Sequence, residues 1–532
     1  MKKVTDTFAV VRSLVEAGVI RPVRPDKLLR VGDALRRFGA TPAAGFAAAA
    51  IRRPDETAII DERGTLTWSE VHRRSNALAS ALSDAGVVEG DGVAIMCRNH
   101  RGYVDITAAC SKLGADALYL NTAFAGPQLA DVVARENPRA IVFDEEFRGL
   151  VEGGTEGRLR FVAWHDEGET PVDPTLDELI ARGDRSDVVA PDRAGRVTIL
   201  TSGTTGTPKG AQRETSGAMG SLASLLSTIP YRSGQTTVIA APMFHAWGFA
   251  NFAVALGLGD TVVLRRHFDP EETLGMISDT GASTLVVVPV MLQRMLELAP
   301  ETLARYDTSS LRVIAASGSA MSGPLSARIM DVFGEVLYNL YGSTEVSFAA
   351  IATPQDMRAA PGTVGRPPHG TIVRLFDDAD QVVPEGATGR IFVGSEMLFE
   401  GYTGGGGKAM IGGLMATGDV GHFDPDGRLF VDGRDDDMIV SGGENVFPQE
   451  VEDLLSGHEA VADVAVVGVH DEAFGQRLRA VIVVRAGTSF DADEAKGYVK
   501  AHLARYKVPR DIVFVDELPR TSTGKVLKRD LR

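Results

Sequence analysis

Ten consecutive residues stand out for the chemistry they could perform together. Thr201-Ser-Gly-Thr-Thr-Gly-Thr-Pro-Lys-Gly210 follows directly on the β-branched run Val197-Thr-Ile-Leu200 and supplies five hydroxyls, three glycines and one lysine. Glycines let a backbone come close to an anion, and successive N–H groups form a nest that binds one. Thr201, Ser202, Thr204 and Thr205 add hydroxyl donors, Gly203 and Gly206 keep the path narrow, and Lys209 adds positive charge. That set suits an anion. It is not a Walker A loop, because the G-x-x-x-x-G-K-[ST] spacing is absent.

Four more blocks follow in order: Tyr338-Asn-Leu-Tyr-Gly-Ser-Thr-Glu345, Thr417-Gly-Asp419, Gly433-Arg434 and Pro519-Arg-Thr-Ser-Thr-Gly-Lys525. Singly, each has a plain explanation. A lone Glu or Asp is usually a solvated surface residue. Lys525, close to Arg520, Lys528, Arg529 and Arg532, would pass for a basic tail. Taken in sequence, the five blocks resemble the adenylate-forming superfamily, which holds acyl-CoA synthetases, nonribosomal-peptide adenylation domains and firefly luciferase. The resemblance runs from about residue 45 to the C-terminus. Ser441-Gly-Gly-Glu-Asn-Val-Phe-Pro-Gln-Glu-Val451 brings it nearest to the fatty acyl-CoA synthetases.

The resemblance implies a two-step reaction. A carboxylate attacks the α-phosphorus of ATP to give an acyl-adenylate and pyrophosphate, and a thiolate then displaces AMP. The first step gathers negative charge, so cations and donors are needed where it develops. By resemblance, the Thr201–Gly210 loop cradles the β- and γ-phosphates. Glu345 holds Mg²⁺ and Thr344 contacts the α-phosphate. Tyr341, with Gly342 beside it, stacks on adenine, and Gly318, Ser319 and Ala320 line the base pocket. Asp419 takes the ribose hydroxyls and Arg434 supports the ribose. Lys525 bridges the substrate carboxylate and the α-phosphate. Asp436 is the hinge on which a C-terminal domain rotates, bringing Gly442 and Gly443 to the path of the coenzyme A arm.

Pro242-Met-Phe-His-Ala-Trp-Gly-Phe249 resembles the block that borders the acyl pocket, with His245 gating it; a buried, hydrogen-bonded histidine is the plain alternative. The block carries no aspartate to pair with an α-amine, and an unpaired ammonium is costly to bury. An amino acid is therefore not the expected substrate. The expectation is an acyl-CoA ligase for a fatty or similarly apolar acid, in the setting of lipid metabolism. Transfer to a carrier protein, an aryl-CoA ligase and a silent nucleotide-binding protein are the alternatives. Between Tyr402 and Thr417 the chain departs from the family pattern, with Gly404–Gly407 and then Gly413-Leu-Met-Ala416 in place of a longer polar stretch.

Elements must position these groups. From about 50 to 340, short apolar runs at 93–97, 140–143, 197–200, 238–240, 261–264, 284–288 and 311–314 alternate with helical segments, as in doubly wound parallel sheets. After about 370, strands separated by turns such as Asp424-Pro-Asp-Gly427 read as a small antiparallel, barrel-like subdomain. A compact α+β pattern closes the chain. The expected fold class is thus α/β, with a large domain over 46–435 hinged to a small α+β domain over 436–532.

The chain has 532 residues with a net charge of −16, which argues against a nucleic-acid partner. Two cysteines exclude a disulfide framework and point to a reducing, cytoplasmic setting. Residues 1–40 carry nine Lys/Arg and four Asp/Glu, net +5, which leaves −21 for the rest. There Leu28, Val31, Leu35 and Phe38 share a helical face. Two readings stand for this 1–45 extension: docking on the protein's own body, or peripheral contact with an anionic membrane face. The oligomeric state, a homodimer included, is not legible.

Overall fold

All seven apolar runs become strands, and the physical reason is burial on both faces. In the computed structural model they fall on β3 (Gly92–Met96), β5 (Ala140–Asp144), β7 (Val197–Thr201), β9 (Thr236–Ile239), β10 (Thr261–Leu264), β11 (Thr284–Val287) and β12 (Val313–Ala316). Alternation failed to flag β1 (Thr57–Asp61), β2 (Gly64–Thr67), β4 (Asp116–Tyr119), β6 (Leu159–Trp164) and β8 (Lys209–Arg213), which are short or carry polar residues. The structure describes residues 12–21, 24–201, 209–213, 222, 224–403, 405–437, 439–441, 444–471, 475–521 and 524–532. They form two compact units.

The first unit takes residues 1–287, 297–315 and 396–407. One of its sheets runs β11-β9-β10-β1-β2, with β12 beside β11; β11, β9, β10 and β1 are mutually parallel and β2 returns antiparallel. The other runs from the short strand Gly401–Tyr402 through β8-β7-β4-β3-β5-β6, parallel from β7 to β6. Helices Trp68–Asp84 and Arg101–Leu113 pack together within this unit, and polar groups lock them. Lys112, fully buried, donates to Ser75 Oγ at 2.7 Å, Asn76 Oδ1 at 2.6 Å and the His72 carbonyl at 3.0 Å. Burial lowers its pKa to about 7. Arg101 clamps the carboxylate of Asp61 on β1.

One buried amide joins the carboxyl ends of the two sheets. Asn99, just past β3, donates from Nδ2 to the Ile239 carbonyl at 3.1 Å and the Ala241 carbonyl at 2.9 Å, and its Oδ1 accepts from Met243 N–H at 2.9 Å. The Tyr103 hydroxyl donates to the Met243 carbonyl at 2.7 Å. The turn that carries His245 is therefore hung from the neighbouring sheet.

The N-terminal helix Pro25–Phe38 docks on this unit, but not through its whole apolar stripe. Ala34 and Phe38 are buried, with Phe38 in a cluster with Ala43 and Ala44. Lys27 Nζ donates to the Arg52 carbonyl at 2.8 Å and Arg37 to the Val188 carbonyl at 2.6 Å. These bonds seat the helix on the side bearing Lys27, Ala34 and Phe38. Leu28 and Leu35 of the expected face stay 61% and 49% exposed. Among the described residues no helix is long and apolar enough to cross a membrane.

The second unit takes residues 288–296, 316–395 and 408–532. Its antiparallel sheet orders strands Ile372–Phe376, Gly389–Gly394, Leu414–Phe423 and Met410–Ile411, with Leu429–Arg434 also on Leu414–Phe423. A second sheet joins Val461–Asp471, Gly475–Val484 and Asp511–Phe514, backed by helices Pro448–Ser456 and Ala492–His502. The second half of the stretch that departs from the family pattern is a hairpin. Met410–Ile411 pairs with Leu414–Met415 across Gly412 (φ 55) and Gly413 (φ 83). A tight two-residue turn with both φ positive favours glycine at both places.

Asn99 generates a stability prediction. Asn99→Leu keeps the volume but leaves three backbone groups unpaired, at roughly 1–3 kcal/mol each. The expected result is a loss of about 3 kcal/mol or more, read as a lower urea midpoint at unchanged slope.

Candidate nucleotide and carboxylate site

The second unit brings several of the expected residues together. Tyr341 lies on strand Leu337–Ser343 and Asp419 on Leu414–Phe423. The Tyr341 hydroxyl donates to Asp419 Oδ2 at 2.6 Å. Strand register sets Asp419 directly opposite Arg434. The Asp419 N–H is held by Thr417 Oγ1 at 3.0 Å, and the Thr417 hydroxyl donates to the Ile391 carbonyl at 3.1 Å. Burial pushes the Asp419 carboxyl above its usual range, while the Tyr341 bond and the charges of Arg434, Lys525 and Lys408 pull it back. The Tyr341 phenol is raised well above 10, first by burial and then by Asp419. A carboxylate, a phenol and three cations thus converge. The carboxylate suits sugar hydroxyls, and the cations suit phosphate and carboxylate oxygens.

The strand that carries Tyr341 turns sharply into Ser347–Ala352. Gly342 is obligatory there, since a Cβ would lie 1.9 Å from the Ser347 carbonyl oxygen. Within the turn, the Ser343 hydroxyl accepts from Glu345 N–H at 3.3 Å and Val346 N–H at 3.4 Å. Thr344 is half-buried, and Glu345 is only 9% exposed. Gly318, Ser319 and Ala320 form the turn after β12, with Gly318 at φ 99. Asp436 lies in a short 3-10 segment, Asp435–Asp437, that follows Arg434.

Lys525 sits on a hairpin. Thr521 N–H donates to the Lys525 carbonyl and Leu527 N–H to the Pro519 carbonyl, each at 2.8 Å. Lys525 N–H is bound by Thr521 Oγ1 at 3.1 Å. A Cβ on Gly524 would lie 2.3 Å from Val290 Cγ1, so the hairpin rests on helix Pro289–Leu296 through a residue with no side chain.

In the first unit, Thr201 and Lys209 are the paired last and first residues of β7 and β8, so the expected phosphate loop is the connection of an antiparallel hairpin. Ser202, Gly203, Thr204, Thr205 and Gly206 lie outside the described residues, as do Gly442 and Gly443. The base of the hairpin is braced. Gly210 N–H donates to Thr403 Oγ1 at 3.0 Å, Thr403 N–H donates to the Gly210 carbonyl at 2.8 Å, and the Thr403 hydroxyl donates to Glu136 at 2.5 Å. Lys209 Nζ stands 5.3 Å from the Tyr402 ring centroid. His245 precedes helix Ala246–Leu258, its ring 4.5 Å from that of Phe244. Burial pushes its pKa down to about 4.

Two residues here escaped the motif reading. Asn339, 5% exposed and two residues before Tyr341, has an Oδ1 with no hydrogen-bond partner. Strand alternation puts it on the face of Tyr341. A buried amide oxygen without a partner is an acceptor waiting for a donor, such as a base amino group. Asn339 lay inside the quoted block, but only burial marks it out. Lys408 sits behind the glycine run, and only folding brings it to Asp419.

The residues present suit a magnesium ion. A hard cation takes oxygen ligands, often one carboxylate plus substrate phosphates, and the buried Glu345 fits that role. Among the described residues, the one clustered His/Cys/acid trio is Cys97, His100 and Asp144. It is no magnesium site. His100 Nδ1 accepts from Gly102 N–H at 3.0 Å and Nε2 lies 2.8 Å from Asp144, so the imidazole caps a helix.

Comparison with known proteins decides the family. Residues 46–403 match the AMP-binding enzyme family, and residues 450–525 match the AMP-binding enzyme C-terminal domain. The chain belongs to the AMP-binding enzyme family. It is an AMP-forming acid–thiol ligase. It is 33% identical to the indoleacetate–CoA ligase of Aromatoleum aromaticum, over 90% of this chain and 95% of that one. It is 31% identical to the fatty acid–[acyl-carrier-protein] ligase ScoC of Streptomyces coeruleorubidus, over 90% and 93%. The crystal structure of the anthranilate CoA ligase AuaEII with anthranoyl-AMP superposes with a TM-score of 0.85 at 25% identity, covering 92% of this chain and 96% of that one.

The depressed His245 pKa fixes a sign. The folded protein resists protonating this ring, so its contribution to stability is full above the unfolded value near 6.5 and is lost as pH falls towards about 4. His245→Gln should flatten the unfolding free energy across that window. The ring resonances of His245 should stay those of neutral imidazole at pH 6 by NMR.

Proposed function

We propose that this ligase activates an apolar carboxylic acid and transfers it to coenzyme A. The observation that carries the reading is the convergence of Tyr341, Asp419, Arg434, Lys408 and Lys525 in one unit. Asp419 accepts hydrogen bonds from the ribose hydroxyls and Tyr341 fixes its orientation. Asn339 accepts from the adenine amino group. Lys525 places its charge between the acid and the α-phosphate. The carboxylate oxygen attacks the α-phosphorus, the bond to the bridging oxygen breaks, and pyrophosphate leaves. Glu345 would hold magnesium, which would supply charge neutralisation for the developing negative charge. The coenzyme A sulfur then attacks the acyl carbon, the thiol proton is lost and AMP departs.

An apolar acid is supported by the turn that bears His245. Its imidazole is kept neutral by burial, and Phe244, Trp247 and Phe249 surround it in sequence. The relatives named for indoleacetate and anthranilate favour an aryl acid, and the relative named for a fatty acid favours an alkyl one. "Apolar" is what they share. A carrier-protein thiol in place of coenzyme A is the second reading, favoured by the similarity to ScoC.

The test is product identity. Purified protein is incubated with ATP, Mg²⁺, coenzyme A and octanoate, palmitate, benzoate, indoleacetate, ferulate or phenylalanine, and products are read by mass spectrometry. Acyl-CoA plus AMP is expected from at least one of the apolar acids and none from phenylalanine. Acyl-AMP without acyl-CoA would move the assignment to a carrier-protein ligase, and no ATP turnover would overturn it. Lys525→Ala should lower acyl-AMP formation by about 100-fold or more, the scale of removing one charge-stabilising donor. It should still convert supplied acyl-AMP to thioester.

A further inference from the structure

Lysine is a flexible stem with a charge at its tip, so the position of Lys525 Nζ depends on what holds its backbone. Two contacts tie that backbone to neighbouring elements. Gly524 rests against Val290, as described above. The other is Arg520. Its Nη1 donates to the Gly524 carbonyl, the residue immediately before Lys525, and its Nη2 donates to Asp463 Oδ2. Asp463 lies on strand Val461–Asp471, where the register shifts between Val461 and Asp463, and its other oxygen accepts from Val464 N–H at 3.0 Å. One planar guanidinium therefore ties the hairpin tip to a sheet. Both side chains are about four-fifths covered, at 21% and 23% exposure, so water competes weakly for the pair. The backbone of the hairpin also closes across Arg520 itself, which bridges Val526 in antiparallel fashion.

We propose that Arg520 and Asp463 are positioning residues that hold Lys525 in place for acyl-adenylate formation. The inference rests on the ligase reading above. It assigns the pair no contact with substrate. Arginine is suited to this because its fork donates in two directions at once, which an ammonium cannot do with the same fixed geometry. The expected effect is large because a shift of about 1 Å in a reacting constellation costs on the order of 100-fold in rate. The pair should matter in the first half-reaction only. Thioester formation from acyl-AMP does not need the charge of Lys525 in this role.

The experiment separates the halves in the full-length protein. The acid is whichever of the panel above the wild type adenylates fastest. Pyrophosphate release without coenzyme A reports the first half, and conversion of the matching synthetic acyl-AMP plus coenzyme A reports the second. Arg520→Gln and Asp463→Asn should each slow the first at least ten-fold and leave the second within two-fold. Arg520→Lys, which keeps charge for Asp463 but loses the fork, should fall between them and wild type. Should Arg520→Gln fold poorly, the exchange Arg520→Asp with Asp463→Arg should recover at least part of the adenylation lost in Arg520→Asp alone. Equal loss in both halves, no loss in either, or no recovery on exchange would overturn the brace. Failure of the wild type to form any acyl-AMP would instead overturn the ligase reading and the brace with it.

Discussion

A carboxylate taken out of water must be met by donors and cations, and in the second unit that demand organises the site. Asp419 is drawn upward in pKa by burial and held back by a phenol and three cationic side chains. Each partner comes from a different stretch of chain: Tyr341 from a strand before the antiparallel sheet, Lys408 from a glycine-rich turn, Arg434 from the strand opposite, and Lys525 from the last hairpin. The same groups that make burial of Asp419 tolerable are those a nucleotide monophosphate and an acid would need. Structure and chemistry are met here by one arrangement, since charge that stabilises a buried anion also stabilises a developing one.

In the first unit the equivalent constraint is the pairing of buried polar groups between layers. Asn99, Lys112 and Arg101 each fulfil most of their hydrogen-bonding capacity with partners far away in sequence. Unpaired, any of them would cost more than an apolar residue would give. Paired, they fix how helix meets helix and how one strand end meets another. The turn bearing His245 inherits its place from Asn99 and Tyr103 rather than from its own residues. The hairpin of β7 and β8 inherits its base from Thr403 and Glu136 in the same way.

The N-terminal helix shows how local pattern and tertiary contact diverge. Its apolar stripe predicted a buried face of Leu28, Val31, Leu35 and Phe38, and half of that is exposed. Two charged side chains decide the seat, because Lys27 and Arg37 each find a backbone carbonyl to donate to. A directional bond fixes rotation about the helix axis, whereas apolar burial only biases it.

By itself the amino-acid order determined the strands buried on both faces, the order of the chemical blocks, and the residue types able to hold ATP. Those are local properties: a β-branched run of four or five residues, or a Gly-rich turn, is fixed by its own stereochemistry. Folding alone decided which blocks meet. It brought Lys408 and Lys525 within electrostatic reach of Asp419, left the Oδ1 of Asn339 buried and unanswered, and turned the irregular stretch after Gly407 into a hairpin on Gly412 and Gly413. Distance and desolvation arise only when remote segments pack, so no pattern along the chain can hold them.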